Sequence, residues 1–203
     1  MDLRDELLRA AVDITRAASG LAAQRFLEGV PVSKKADGTE VTPADTEVEE
    51  LIRSMIAARF PDDGVTGEEL ADTPGTTGRR WVIDPIDGTS AFALRIPMFN
   101  VLLAVEDDEG SAVSVISYPM SQDLIYAGRG RGCWHQVNDG PPQRITVSSA
   151  RHPGRDGQPG HLVRGTAHDA APGGPPPAGY EGHVGRGLRP DRCPDHRGHA
   201  DEL

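Results

Sequence analysis

Trp81-Val82-Ile83-Asp84-Pro85-Ile86-Asp87-Gly88-Thr89 decides how the rest of the chain is read. The aromatic and β-branched run from Trp81 to Ile83 predicts a buried strand, and Asp84 stands where that strand leaves the sheet. Pro85 fixes φ and, with Ile86, separates two carboxylates, so the backbone is expected to double back and aim Asp84 and Asp87 at one point. Gly88 and Thr89 follow, and a helix beginning near Ser90 would leave their N–H groups at its positive end. Hard acidic oxygens beside free backbone donors suit Mg2+ together with a phosphate. Taken alone, the stretch also reads as a strand followed by an Asp-Gly turn, with Asp84 capping and Asp87 solvated.

Upstream, Thr66-Gly67-Glu68-Glu69 repeats the arrangement: a short strand over residues 62–66 runs out into a glycine and then two carboxylates. Thr42-Pro43-Ala44-Asp45 starts a helix, with Thr42 as N-cap, Pro43 at the first helical position and Asp45 at the third. Val48, Leu51, Ile52, Met55 and Ile56 give that helix an apolar face, and it should end near Phe60-Pro61. An acid in the first turn also stabilises the helix dipole by about 0.3–1 kcal/mol, which by itself accounts for Asp45. Before it, Leu7, Ala11, Ile14, Ala18 and Leu21 mark an amphipathic helix over residues 2–26. Residues 31–41 read as a loop or small hairpin around Asp37-Gly38. Residues 71–79 read as a connector.

Downstream, residues 100–106, 112–118, 124–127, 133–137 and 144–147 read as successive strands between turn signals. The class is α+β: two helices packed on an antiparallel sheet.

Val41-Thr42-x-x-Asp45, Gly67-Glu68-Glu69 and Asp84-Pro85-Ile86-Asp87-Gly88-Thr89 stand in one order, and together they make residues 7–148 resemble the inositol monophosphatase family of Mg2+-dependent phosphatases. The resemblance implies the N-terminal half of that family's αβαβα sandwich. It implies that Glu68, Asp84, Asp87 and the Ile86 carbonyl hold one or two Mg2+ ions. It assigns Asp45 and Thr89 to the attacking water, Glu69 to positioning water, and the Gly88 and Thr89 N–H groups to the phosphate. Lys35 matches a lysine near the family's metal cluster, although composition alone favours a solvated lysine there. In Thr89-Ser90-Ala91-Phe92 an alanine stands where the family usually has asparagine.

The implied activity is a phosphomonoesterase using metal-activated water on a small polyol phosphate. Inositol monophosphate is the first choice and histidinol phosphate, of histidine biosynthesis, the second. Fructose bisphosphate and 3′-phosphoadenosine phosphates rank lower. A homodimer is also implied.

Composition sets the bounds. In the 203-residue chain, Lys+Arg is 14 and Asp+Glu 24 within residues 1–150, so the whole net charge of −10 lies there. Such acidity argues against a nucleic-acid partner. Two cysteines in dissimilar regions argue against a disulfide framework and for a reducing cytoplasm. No apolar run approaches membrane-spanning length, and the N-terminus lacks the pattern of a signal peptide.

From residue 151 onward 11 Gly, 8 Pro and 6 His accompany only six large apolar residues, too few to offset the entropy of ordering. The expected division is therefore an N-terminal domain over residues 1–149 and a disordered tail over 150–203. The tail's composition matches a GC-rich gene read out of frame after about Ser149, and translating the other two frames tests that. Within the family this region carries a further metal-binding aspartate, so weak activity, or an inactive truncated half-fold, is also expected.

Overall fold

Helix α1 (Leu3–Glu28) is capped by Asp2, whose side chain accepts from the Arg4 N–H at 3.4 Å. It buries Leu7, Ala10, Ala11, Ile14, Ala18, Ala22 and Phe26, and the alanines let it lie close on what it covers. Full burial of a side chain such as Ile14 is worth about 1.5–3 kcal/mol. The computed structural model describes residues 2–31, 33–34 and 40–147. Lys35 and the predicted tail, residues 150–203, lie outside the described residues.

After α1, β1 (Ser33–Lys34) and β2 (Glu40–Val41) pair antiparallel as the expected small hairpin. Helix α2 (Pro43–Arg59) buries Ala44, Val48, Ile52 and Ile56 and ends at Phe60, before a proline that disfavours further helix. Then come β3 (Gly64–Thr66), β4 (Arg80–Asp87), the one-turn helix α3 (Thr89–Ala93) and β5 (Asn100–Asp107). Strands β6 (Gly110–Tyr118), β7 (Asp123–Gly128), β8 (Gly132–Val137) and β9 (Gln143–Ile145) follow. The last seven in sequence order, β3 to β9, form one sheet in that same order. Helix α1 packs on β5, β6 and β7 and on α2, while α2 packs on β4. Trp81, Ile83, Val101, Leu103, Val105, Val113 and Val115 are buried beneath them.

Two features depart from the sequence reading, and both shape the site. The sheet is antiparallel except at its first edge, where β3 and β4 run parallel. The connector between them is long enough for the crossover that parallel neighbours require. Secondly, β4 does not leave the sheet at Asp84 but continues to Asp87 through a bulge: Asp84 pairs with Leu102 and Asp87 with Asn100, so Pro85 and Ile86 together oppose Val101. Proline has no N–H for the ladder, and a bulge is one of the few places within a sheet that accepts it. Among the described residues no helix is long and apolar enough to cross a membrane.

Candidate active site

Parallel pairing of β3 with β4 sets Thr66 beside Val82, so Glu68, two residues past Thr66, comes level with Asp84. In an unbroken strand Asp84 and Asp87 would point to opposite faces, because side chains alternate with a period of two. The residue gained at the bulge restores them to one face, and Pro85 and Ile86 are consequently buried in succession. Across the ladder, Asn100 Nδ2 donates to Asp87 Oδ2 at 3.1 Å. Gly88 then turns the chain at φ +94°, and a Cβ there would stand 3.2 Å from the Met98 carbonyl oxygen. Phe26, Phe92 and Phe99 pack under this turn, with ring centroids 4.9–5.5 Å apart.

Asp84 receives the electrostatic load of the cluster. Burial pushes its carboxyl up to about 7, and the charges of Glu68, Asp87 and Asp45 together with a hydrogen bond shared with Glu68 act in the same direction. Its Oδ1 is buried without a hydrogen-bond partner. Among the described residues no three His, Cys, Asp or Glu side chains are spaced to hold one metal ion as they stand. The donors nevertheless suit a divalent cation in kind: they are hard oxygens whose crowding of like charge a cation would relieve, and one is buried with nothing to bond.

Asp45 joins two elements. Its Oδ2 accepts from the Thr42 N–H at 2.9 Å and the Thr42 hydroxyl at 2.6 Å, which caps α2, while its Oδ1 accepts from Thr89 Oγ1 at 3.2 Å. Thr89 Oγ1 also lies 3.1 Å from the Ile86 carbonyl oxygen. The contacts to Thr42 and to Thr89 thus use different oxygens of one carboxylate. Glu69 presents its N–H to Glu49 Oε2 at 2.8 Å. Of the residues singled out in the sequence, Glu68, Asp87 and Asp45 lie close enough to act on Asp84, Thr89 meets Asp45 and the Ile86 carbonyl, Gly88 precedes Thr89, and Glu69 adjoins Glu68.

Sequence reasoning missed Glu49 and Asn100. Glu49 is wholly buried, bonded to Arg53 Nε at 2.8 Å and to the backbone of Glu69 and Leu70. Its signal was available, since it shares the buried stripe of α2 with Asp45, Val48, Ile52 and Ile56. Asn100 had none, because its partner across the sheet depends on the bulge.

The profile of the Inositol monophosphatase family matches residues 3–186, most of the chain. The chain belongs to the inositol monophosphatase family. That match runs past Ser148, where the motif resemblance ends. A histidinol-phosphatase of Chlorobaculum parvum is 41% identical over 142 residues, covering 70% of this chain and 54% of the relative. A histidinol-phosphatase of Mycobacterium tuberculosis is 41% identical over 118 residues, 58% of this chain and 45% of the relative. An inositol-1-monophosphatase of Caulobacter vibrioides is 34% identical over 141 residues, 68% and 53%.

Among solved structures, the extragenic suppressor protein suhB from Bartonella henselae superposes with a TM-score of 0.65 at 27% identity, covering 72% of this chain and 56% of that one. The chain therefore spans about half the length of the curated relatives it matches. These findings bear out the α+β reading and the recognition of a phosphatase family.

Proposed function

We propose that this chain is a metal-dependent phosphomonoesterase acting on a small phosphate monoester, and the crowding of Glu68, Asp87 and Asp45 on Asp84 is the observation that carries the reading. Glu68, Asp84, Asp87 and the Ile86 carbonyl would hold the ion, with Mg2+ preferred for an all-oxygen donor set. When bound, a divalent cation lowers the pKa of water and stabilises the entering and leaving oxygens of a phosphoryl transfer.

The chain's own residues do the rest. Asp45 Oδ1 takes the Thr89 hydroxyl proton in a hydrogen bond, which leaves the Thr89 lone pairs to accept from a water and orient it. Backbone N–H groups of Gly88 and Thr89 would receive a phosphate oxygen. Glu69, adjoining Glu68, would help position water. No covalent nucleophile is required.

Relatives named histidinol-phosphatase are 41% identical and an inositol-1-monophosphatase 34%, which supports histidinol phosphate as substrate over inositol monophosphate, the sequence's first choice. Spanning half of those relatives supports a second reading, in which the site binds metal but turns over slowly. Phosphate release from both substrates, measured with Mg2+ on the 203-residue protein, tests the proposal. Release from histidinol phosphate at a tenfold higher kcat/KM is expected. Release from neither, with a Mg2+-dependent rise in melting temperature, supports the second reading; no release and no rise overturns both. A homodimer and a cytoplasmic location complete the proposal, and no nucleic-acid or membrane partner belongs to it.

A further inference from the structure

We infer that Glu49 is a positioning residue for the metal site: it fixes the backbone that carries Glu68. This rests on Glu68 being a ligand, as proposed above. Glu49 has no solvent exposure, and a carboxylate so placed must be compensated. Arg53, 15% exposed, supplies the countercharge at 2.8 Å. The remaining acceptors face backbone: Glu69 N–H to Oε2 at 2.8 Å and Leu70 N–H to Oε1 at 3.3 Å. Arg53 Nη2 also donates to the Leu70 carbonyl at 3.2 Å, which ties the same loop from its far side.

On the near side of Glu68, a Cβ on Gly67 would fall inside the Glu49 carboxylate, so the loop lies directly on it. Glu68 is therefore held between a residue pressed on Glu49 and a residue bonded to it. Because each peptide unit is planar, bonding the N–H of Glu69 and of Leu70 fixes the orientation of the Glu68–Glu69 and Glu69–Leu70 planes. The Glu68 side chain, carried on this fixed backbone, shares a hydrogen bond with Asp84. Glu49 touches neither the acidic cluster's reacting side nor a substrate, and it acts through Glu68.

Glu49→Gln keeps the shape but turns an amide N–H2 toward one of these donors, so the loop must shift. Mn2+ binding to the full chain, followed by the EPR signal of the free ion well below the melting temperature, reads the effect. Glu49→Gln is expected to weaken Mn2+ binding at least tenfold with its far-UV CD spectrum retained. Asp63→Asn, which disturbs a buried carboxylate bonded to Trp81, Arg79 and Thr77 rather than to this loop, should bind Mn2+ like the wild type while melting earlier. That comparison separates positioning from stability.

Wild-type affinity in Glu49→Gln overturns the inference and leaves the site reading intact. No Mn2+ binding by the wild type overturns the site reading and the inference with it. Should Glu49→Gln not fold, Gly67→Ala displaces the same contact from the loop side. The same tenfold loss then supports the inference, and unchanged binding overturns it.

Discussion

Thr89 Oγ1 stands 3.2 Å from Asp45 Oδ1, a hydrogen bond between the first turn of α2 and the start of α3, across 44 residues of chain. The two oxygens of Asp45 thus serve different partners, Thr42 and Thr89, and the two contacts are separable by mutation.

Asp45→Ala removes the carboxylate half of the α2 capping box and leaves the buried Thr42 N–H and hydroxyl without that acceptor, costing roughly 2–3 kcal/mol. Thr89→Ala removes a half-buried hydroxyl and should cost no more than about 1 kcal/mol. Both should lower kcat about a hundredfold, the scale of a lost proton-handling group. Urea denaturation beside phosphate release checks the split, and a Thr89→Ala enzyme of normal rate contradicts it.

The metal-free protein should lose stability as pH rises toward neutrality. Burial and the neighbouring acids raise Asp84 from 3.8 to about 7 in the fold. Between those values the unfolded chain has released a proton that the folded chain retains, so the Asp84 contribution is full below about pH 4 and is gone above pH 7. Melting temperatures in EDTA from pH 4.5 to 8, for wild type and Asp84→Asn, isolate this group. Asp84→Asn should melt higher at pH 8, by a few degrees, with the gap closing toward pH 4.5. Because Mg2+ competes with that proton, the wild type's Mg2+ midpoint should fall between pH 6 and 8.

Gly88→Ala should destabilise the fold by about 1–3 kcal/mol, because φ of +94° and the nearby Met98 carbonyl both reject a methyl group. Thermal melts check it. A neutral result would mean that the turn relaxes, in which case phosphate release should fall instead.

Asp63→Ala should cost about 2–4 kcal/mol, since it abandons the buried Trp81 indole N–H, bonded at 3.0 Å, and the Arg79 guanidinium, at 2.7 Å. Urea midpoints should fall with m unchanged, and Mn2+ affinity should hold. A loss of Mn2+ affinity would place this pair closer to the site than its contacts indicate.

Much of this was legible in the sequence. Leu7, Ala11, Ile14 and Ala18 recur at helical spacing and are buried as that spacing predicts, and Thr42-Pro43-Ala44-Asp45 announces its cap through residue types alone. The acidic residues of the candidate site stand in short local motifs, which can be read without knowing how distant strands pair. What escaped depends on distant pairing. Parallel β3 and β4 cannot be told from antiparallel strands by composition, and the bulge at Pro85 is defined only by Asn100 and Leu102 on the neighbouring strand. Glu49 was overlooked because a glutamate on a helix is ordinarily solvated. Only its phase among buried neighbours distinguishes it.

The bulge in β4 makes the site a matter of counting. Deleting either Pro85 or Ile86 would leave a regular strand in which Asp84 and Asp87, then two residues apart, still face Leu102 and Asn100 on one side of the sheet. Ironing out the bulge with all residues kept would instead set Asp87 opposite Phe99 and turn it to the helix side, so the spacing of three and the bulge must be retained or lost together for the two carboxylates to share a face.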